Sequence, residues 1–245
     1  MSDKPILLIL GAGRNIAAGV ASRFSTAGYA IALVSRSFPP EGGPTATTDP
    51  ETGHLRIRAD LADPAQVVSA FAETKRHFGG RAPRVVVYNA ATVSSPPDAD
   101  NMFSLSREAY ERDGTVMNTS AWVAAGEAVR GWNEAGGDGE EEEAKKGRFI
   151  YTGNFLNETI LPLAEYVTLG VGKNAAWYWV NVADGLYKSS KGWRFFYADE
   201  RKEDGSFVGD TPGPESNGTF YLELAEGARD LPSTVTFVDG KYKKF

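Results

Sequence analysis

The 245 residues contain no cysteine, only two histidines and only three methionines. Without cysteine there is no disulfide framework, no thiolate metal site and no cysteine nucleophile. His54 and His77 stand too far apart for a helical metal pair, so no metal is expected. No apolar run approaches the about 20 residues of a membrane span. Positive charge is also scarce: 26 Lys and Arg against 32 Asp and Glu leave a formal net charge of -6. That balance disfavours nucleic acid and anionic membranes as partners. The first residues lack the charged, long apolar and cleavage regions of a secretory signal, which makes a cytoplasmic protein the expectation.

What the chain does have is an alternation of buried-type strands and amphipathic helices. Pro5–Leu10 is a continuous apolar run, the pattern of a strand covered on both faces. A helix over Asn15–Ala27 follows, then strands at Ala30–Ser35 and Leu55–Ala59, a helix over Pro64–Phe78 and a strand at Arg84–Tyr88. A long helix is expected over Ser106–Trp132, and a Gly- and Glu-rich acidic surface insertion near 133–147. Strands at Arg148–Thr152, Trp193–Tyr197 and Val235–Val238 enclose a helix over Lys173–Tyr187. A Gly-, Pro- and Asp-rich loop over 202–218 is of the kind that carries function. Strand and helix alternating at this spacing predict an α/β fold, a doubly wound parallel sheet of Rossmann type in a single domain.

The chemistry starts at the end of the first strand. Gly11-Ala12-Gly13-Arg14-Asn15-Ile16 sits between a buried strand and a helix, the context in which a glycine turn presents amide groups to a pyrophosphate. The second strand ends in Ser35-Arg36 instead of the acidic residue that binds a ribose 2′-hydroxyl. Arg36 and Arg14 together suit a 2′-phosphate, which favours NADP over NAD. Asp60, with Leu61 beside it, can accept from an adenine amino group, while Asp63 is the better helix cap. Asn89-Ala90-Ala91 ends the fourth strand at the carboxyl edge, where open α/β sheets bind ligands.

In this order the glycine turn, Asp60, Asn89-Ala90-Ala91, Asn118 and Lys173 resemble the short-chain dehydrogenase/reductase family over nearly the whole chain. The resemblance implies that Asn89 steadies the central strands beside the adenosine and that Asn118 takes the active-site asparagine position. It implies that Lys173 binds the nicotinamide ribose, and that the chain forms a homodimer or homotetramer. The helix bearing Trp177, Tyr178 and Trp179 would pack on a second subunit.

The chain departs from the family where protons are handled. Asn154 stands at the serine position, and Leu169 stands four residues before Lys173, where the family has tyrosine. Ala198-Asp199-Glu200-Arg201 replaces the Pro-Gly after the sixth strand. Tyr166 could supply a hydroxyl if the helix already covers it; Glu158, Glu165 and Asp199 are other acids near the carboxyl edge. The resulting expectation is an NADPH-dependent oxidoreductase similar to divergent fungal members that lack the tyrosine. A small organic substrate such as an imine or iminium suits it, because hydride addition to a cation leaves a neutral amine and no alkoxide to protonate. Three alternatives remain at this point: a carbonyl reductase with a relocated donor, a non-redox NADP-binding protein, and a redox-neutral cyclase or isomerase.

Overall fold

Five consecutive buried residues make β1, Ile6–Leu10, the centre of the sheet. The structure is a computed structural model describing residues 4–38, 45–135, 147–209 and 211–245. Around β1 the strands are β2 (Ala30–Ser35), β3 (Ala46–Thr48), β4 (Leu55–Arg58), β5 (Val85–Tyr88), β6 (Arg148–Thr152), β7 (Arg194–Glu200), β8 (Thr234–Val238) and β9 (Lys241–Tyr242). They form one sheet in the order β3-β4-β2-β1-β5-β6-β7-β8-β9. The strands from β4 to β8 in this order are parallel. The chain thus winds outward in both directions from β1, and the switch between β1 and β5 opens a crevice at their carboxyl ends.

The two short edge strands, which periodicity did not indicate, are antiparallel. β3 is joined to β4 by a turn in which Asp49 Oδ1 accepts from the Glu51 and Thr52 amides. β9 returns through Asp239-Gly240, both with positive φ, which is the two-residue hairpin geometry that an Asp-Gly pair favours.

Helices cover both faces. α1 (Ile16–Thr26) and α6 (Pro214–Glu226) lie over one, around Leu7, Ile9, Phe24, Phe220 and Phe237. α2 (Pro64–His77), α4 (Ser120–Ala135) and α5 (Val167–Lys191) lie over the other, around Leu8, Val86, Trp132, Phe149 and Phe195. Asp63 caps α2 through the Ala65 amide, and Pro64 occupies the first turn.

Three sequence expectations need correction. The helix expected over Ser106–Trp132 is interrupted: α3 (Arg107–Gly114) passes through a π-helical segment, Thr115–Thr119, into α4. α5 begins at Val167, ahead of Lys173, and runs to Lys191; Gly172 within it marks a contact, since a Cβ there would lie 2.7 Å from Met117 Cε. The loop expected to reach Gly218 ends at Gly213, because Pro214 starts α6. Gly218 is a helix–helix contact with Gly19 of α1, whose own Cβ would lie 2.0 Å from the Pro214 carbonyl oxygen. Of the acidic insertion near 133–147, residues 133–135 complete α4 and 136–146 lie outside the described residues. Among the described residues no helix is long and apolar enough to cross a membrane, and no acidic or histidine cluster could hold a metal.

Candidate active site

The crevice at the β1/β5 switch is a cavity lined by the glycine turn, by Val34 to Arg36, by Ala59 to Leu61 and by Asn89 to Thr92. Gly11 adopts φ +90°, and a Cβ there would approach the Ala90 amide nitrogen to 2.6 Å, so only glycine lets the two loops meet. Asn89 Nδ2 donates to the Gly11 carbonyl at 3.0 Å and fixes that turn to β5. A Cβ on Gly13 would meet nothing within 4 Å, so the space beside it is open. Asn15, the N-cap of α1, makes no side-chain cap hydrogen bond, which leaves the first-turn amides available to an anion. These features fit a dinucleotide: a close turn, open space beside it and an uncapped helix start.

Ser35, Arg36, Asp60, Leu61, Asn89 and Ala90 line the cavity with Gly11 and Gly13, whereas Arg14, Asn15 and Ile16 do not. Arg14 and Asn15 are exposed, and Ile16 packs against the core. Arg112 of α3 also lines the cavity. The sequence reading missed it because a residue so far along the chain from the second strand shares no local pattern with it. Asp60 Oδ1 accepts from the Ala62 amide at 3.0 Å, which holds the carboxylate at the rim. Buried Asp113 accepts from the Ser94 amide and hydroxyl and anchors the chain beyond Thr92.

The remaining candidates sit farther along the carboxyl edge. Asn118 lies in the π-helical segment, a feature frequent at functional sites. Its Oδ1 is shielded from solvent and accepts no hydrogen bond among the described residues. Asn154 caps a 3-10 turn (Phe155–Asn157) through the Leu156 amide at 3.1 Å. Leu169 is buried against Met117 and Leu156, so the position one turn before Lys173 is apolar. Tyr166 is the N-cap of α5, outside the helix, and its half-buried ring packs on the same apolar cluster. It ends the 3-10 turn Ala164–Tyr166 that leads into α5, and its ring lies on the same side as Leu169.

Lys173 is 4% exposed. Its Nζ donates to the Thr152 carbonyl at 2.7 Å and lies 4.9 Å from the centre of the Tyr151 ring. Burial lowers its pKa to about 8, against an opposing pull from Asp199. Asp199 is 1% exposed, and burial raises its carboxyl to about 6 even though the Arg201 guanidinium beside it acts in the opposite sense.

Beneath these groups run three stacked phenols. Tyr88, Tyr151 and Tyr197 stand side by side on β5, β6 and β7, with ring centroids 5.8 and 5.9 Å apart. Tyr88 donates to the Val116 carbonyl and Tyr151 to that of Met117 at 3.1 Å, so both hold the segment bearing Asn118. Tyr197 donates to the Asn154 carbonyl at 2.8 Å and accepts from the Asn154 amide at 3.1 Å. Burial raises all three hydroxyl pKa values, keeping them protonated. The loop after β7 folds back over this edge, where Phe207 stacks on Phe155 at 4.6 Å. Glu200, at the end of β7, accepts from the Gly213 amide and Asn217 Nδ2 and so fixes the start of α6.

This architecture has many relatives. The family described as enoyl-(acyl carrier protein) reductase matches residues 11–139. A short-chain dehydrogenase/reductase, dmxR12, of Cryptosporiopsis sp. (strain 8999) is 34% identical, covering 97% of this chain and 93% of that protein. The chain belongs to the short-chain dehydrogenase/reductase family and is an oxidoreductase. Among solved structures, a short-chain type dehydrogenase/reductase from Mycobacterium marinum superposes with TM-score 0.72 at 19% identity, covering 98% of this chain and 95% of that one. BdcA in complex with NADPH gives 0.71 at 16% identity, covering 97% of this chain and 94% of that one. At those identities the likeness is one of fold.

Proposed function

We propose that the protein is an NADPH-dependent reductase of a small organic substrate whose double bond is already polarised as an imine or iminium. The observation that carries this reading is Leu169. Where the family has a phenol one turn before the lysine, this chain closes an apolar cluster of Met117, Leu156 and Leu169. Bound NADPH would supply hydride to the substrate carbon; an iminium, or an imine that has already taken its proton from solvent, then becomes a neutral amine and needs no proton from the protein. The residues present hold, orient and dry the site. Asn118, with its unpartnered Oδ1, faces a polar group of the substrate or a water, and Lys173 holds ribose hydroxyls. Phe155 and Phe207 exclude solvent. Preference for NADPH follows from Arg36 and Arg112 at the cavity and from the absence of an acidic residue at the end of β2. NADPH also appears with the relative BdcA.

Exposed Trp122 on α4 and Val171, Tyr178, Val182 and Leu186 on α5 give these helices an apolar outer face. A second copy of the chain would cover it in a homodimer working in the cytoplasm. The test is NADPH oxidation against matched cyclic imines and ketones. Turnover of imines well above ketones is the expected result, and robust ketone reduction abolished by Tyr166→Phe would overturn the substrate class.

A further inference from the structure

Lys173 needs an explanation as a cation. Its ammonium is buried, yet its one hydrogen bond among the described residues goes to the Thr152 carbonyl. The phenol that would accompany it in the resembled family is leucine here. A negative group is nevertheless close. Thr152 of β6 pairs in register with Ala198 of β7, and Asp199 is the next residue. Neighbouring strands lie about 4.8 Å apart. Phe195 and Tyr197 pack on the α4/α5 side of the sheet, so by strand alternation Asp199 faces the same side as Lys173.

Asp199 does not have the contacts of a purely structural ion-pair partner, and the same strand supplies the contrast. Arg194 and Asp184 form a saturated pair: Oδ1 accepts from Arg194 Nε and the Phe195 amide, and Oδ2 accepts from Arg194 Nη2. Among the described residues, Asp199 accepts from Arg201 Nε through Oδ2 alone, and its buried Oδ1 has no partner. Arg201 turns its other nitrogens elsewhere, to the Gly205 carbonyl at 2.9 Å and to Glu158 at 3.7 Å. Half of a buried carboxylate is thus left on the side of the sheet where the buried lysine lies.

We propose that Asp199 is a positioning residue for Lys173, its carboxylate keeping the ammonium charged and fixed on the Thr152 carbonyl in place of the missing tyrosine. The charged groups facing the pair are Arg201 from the end of β7 and Glu158 from the turn after β6. Tyr151, Tyr197 and Tyr221, also nearby, remain protonated because burial raises each of them. With the carboxylate in place Lys173 loses its proton near pH 8. Without it, burial acts unopposed and the lysine gives up its proton at lower pH.

The proposal rests on the reductase reading only for its effect on turnover, so its first test needs no substrate. Apo protein carrying ¹³C-lysine is titrated by NMR, with Lys173 assigned from its loss in Lys173→Arg. Asp199→Asn should lower the Lys173 midpoint by about 1 unit or more, and Asp199→Glu should restore it. An unchanged midpoint overturns the proposal. If Asp199→Asn does not fold, the unmutated protein still decides: the Lys173 signal should show a second inflection near pH 6, where Asp199 titrates. Its absence overturns the proposal too. In turnover, Asp199→Asn should displace the pH profile of kcat while KM for substrate stays constant; a uniform loss at every pH would refute a role through Lys173. Failure of every substrate to oxidise NADPH would end the reductase reading and leave the NMR coupling intact.

Discussion

Replacing Lys173 by methionine should make the protein more stable at neutral pH and worse at its task. The side chain is 4% exposed and its pKa falls from 10.5 to about 8. A displacement of that size corresponds to about 3 kcal/mol by which burial disfavours the charged form at pH 7. Methionine has similar length, carries no charge and removes that cost. It also forfeits the hydrogen bond to the Thr152 carbonyl, worth about 1 kcal/mol, and leaves Asp199 without its nearby cation. The net expectation at pH 7 is a gain of about 1–2 kcal/mol. The sign reverses with pH. Between pH 8 and 10.5 the unfolded chain binds more protons at this site than the native one, so the unmutated protein becomes more stable as pH rises. Its disadvantage against Lys173→Met should therefore vanish and then reverse through that window. Urea unfolding of both proteins at pH 7 and pH 10 measures the effect, and titration with NADPH should show weakened binding by the variant. A methionine variant less stable at pH 7, with a difference independent of pH, would refute the reasoning.

Gly19→Ala should destabilise the fold by about 1–3 kcal/mol, read by urea unfolding, because its methyl group would occupy the Pro214 carbonyl and force α6 away from α1. Arg36→Asp should erase or reverse the preference for NADPH over NADH in calorimetric titration; equal affinities in the unmutated protein would remove its basis. Leu169→Tyr should lose imine turnover without gaining ketone reduction and cost about 1–3 kcal/mol in the closed cluster with Met117 and Leu156. A steady-state gain approaching the about 10²–10⁴-fold of a general acid would instead identify a carbonyl reductase that had lost its donor.

The parallel strands and the glycine turn were legible because both are written in contiguous residues. An apolar run such as Ile6–Leu10, followed at once by a glycine turn and an amphipathic helix, is the pattern of a strand covered on both faces. Features made by distant residues were not legible. Gly218 read as part of a loop, yet Gly172 and Gly218 are helix positions at which another element comes too close for a side chain. The π-helical segment around Asn118 leaves no periodic trace, since one widened turn only shifts the phase of an otherwise helical pattern. The β9 hairpin did carry a signal, Asp239-Gly240, but two residues are too short a strand for alternation to register. Asp199 stood out only as one acid among several; its distinction is burial, which depends on β8 and the returning loop.

The stacked Tyr88, Tyr151 and Tyr197 change what sets the dimensions of the site. Their hydroxyls reach out from three adjacent strands to suspend Asn118 and Asn154, so those two amides hang from a ruler graduated in strand spacings. Loops can then diverge in length and sequence around the edge while the suspended groups keep their separation, because the ruler is fixed by backbone pairing in the middle of the sheet. Under the proposed reading, changes in the Phe207 loop would alter which molecule enters without recalibrating the amides that meet it.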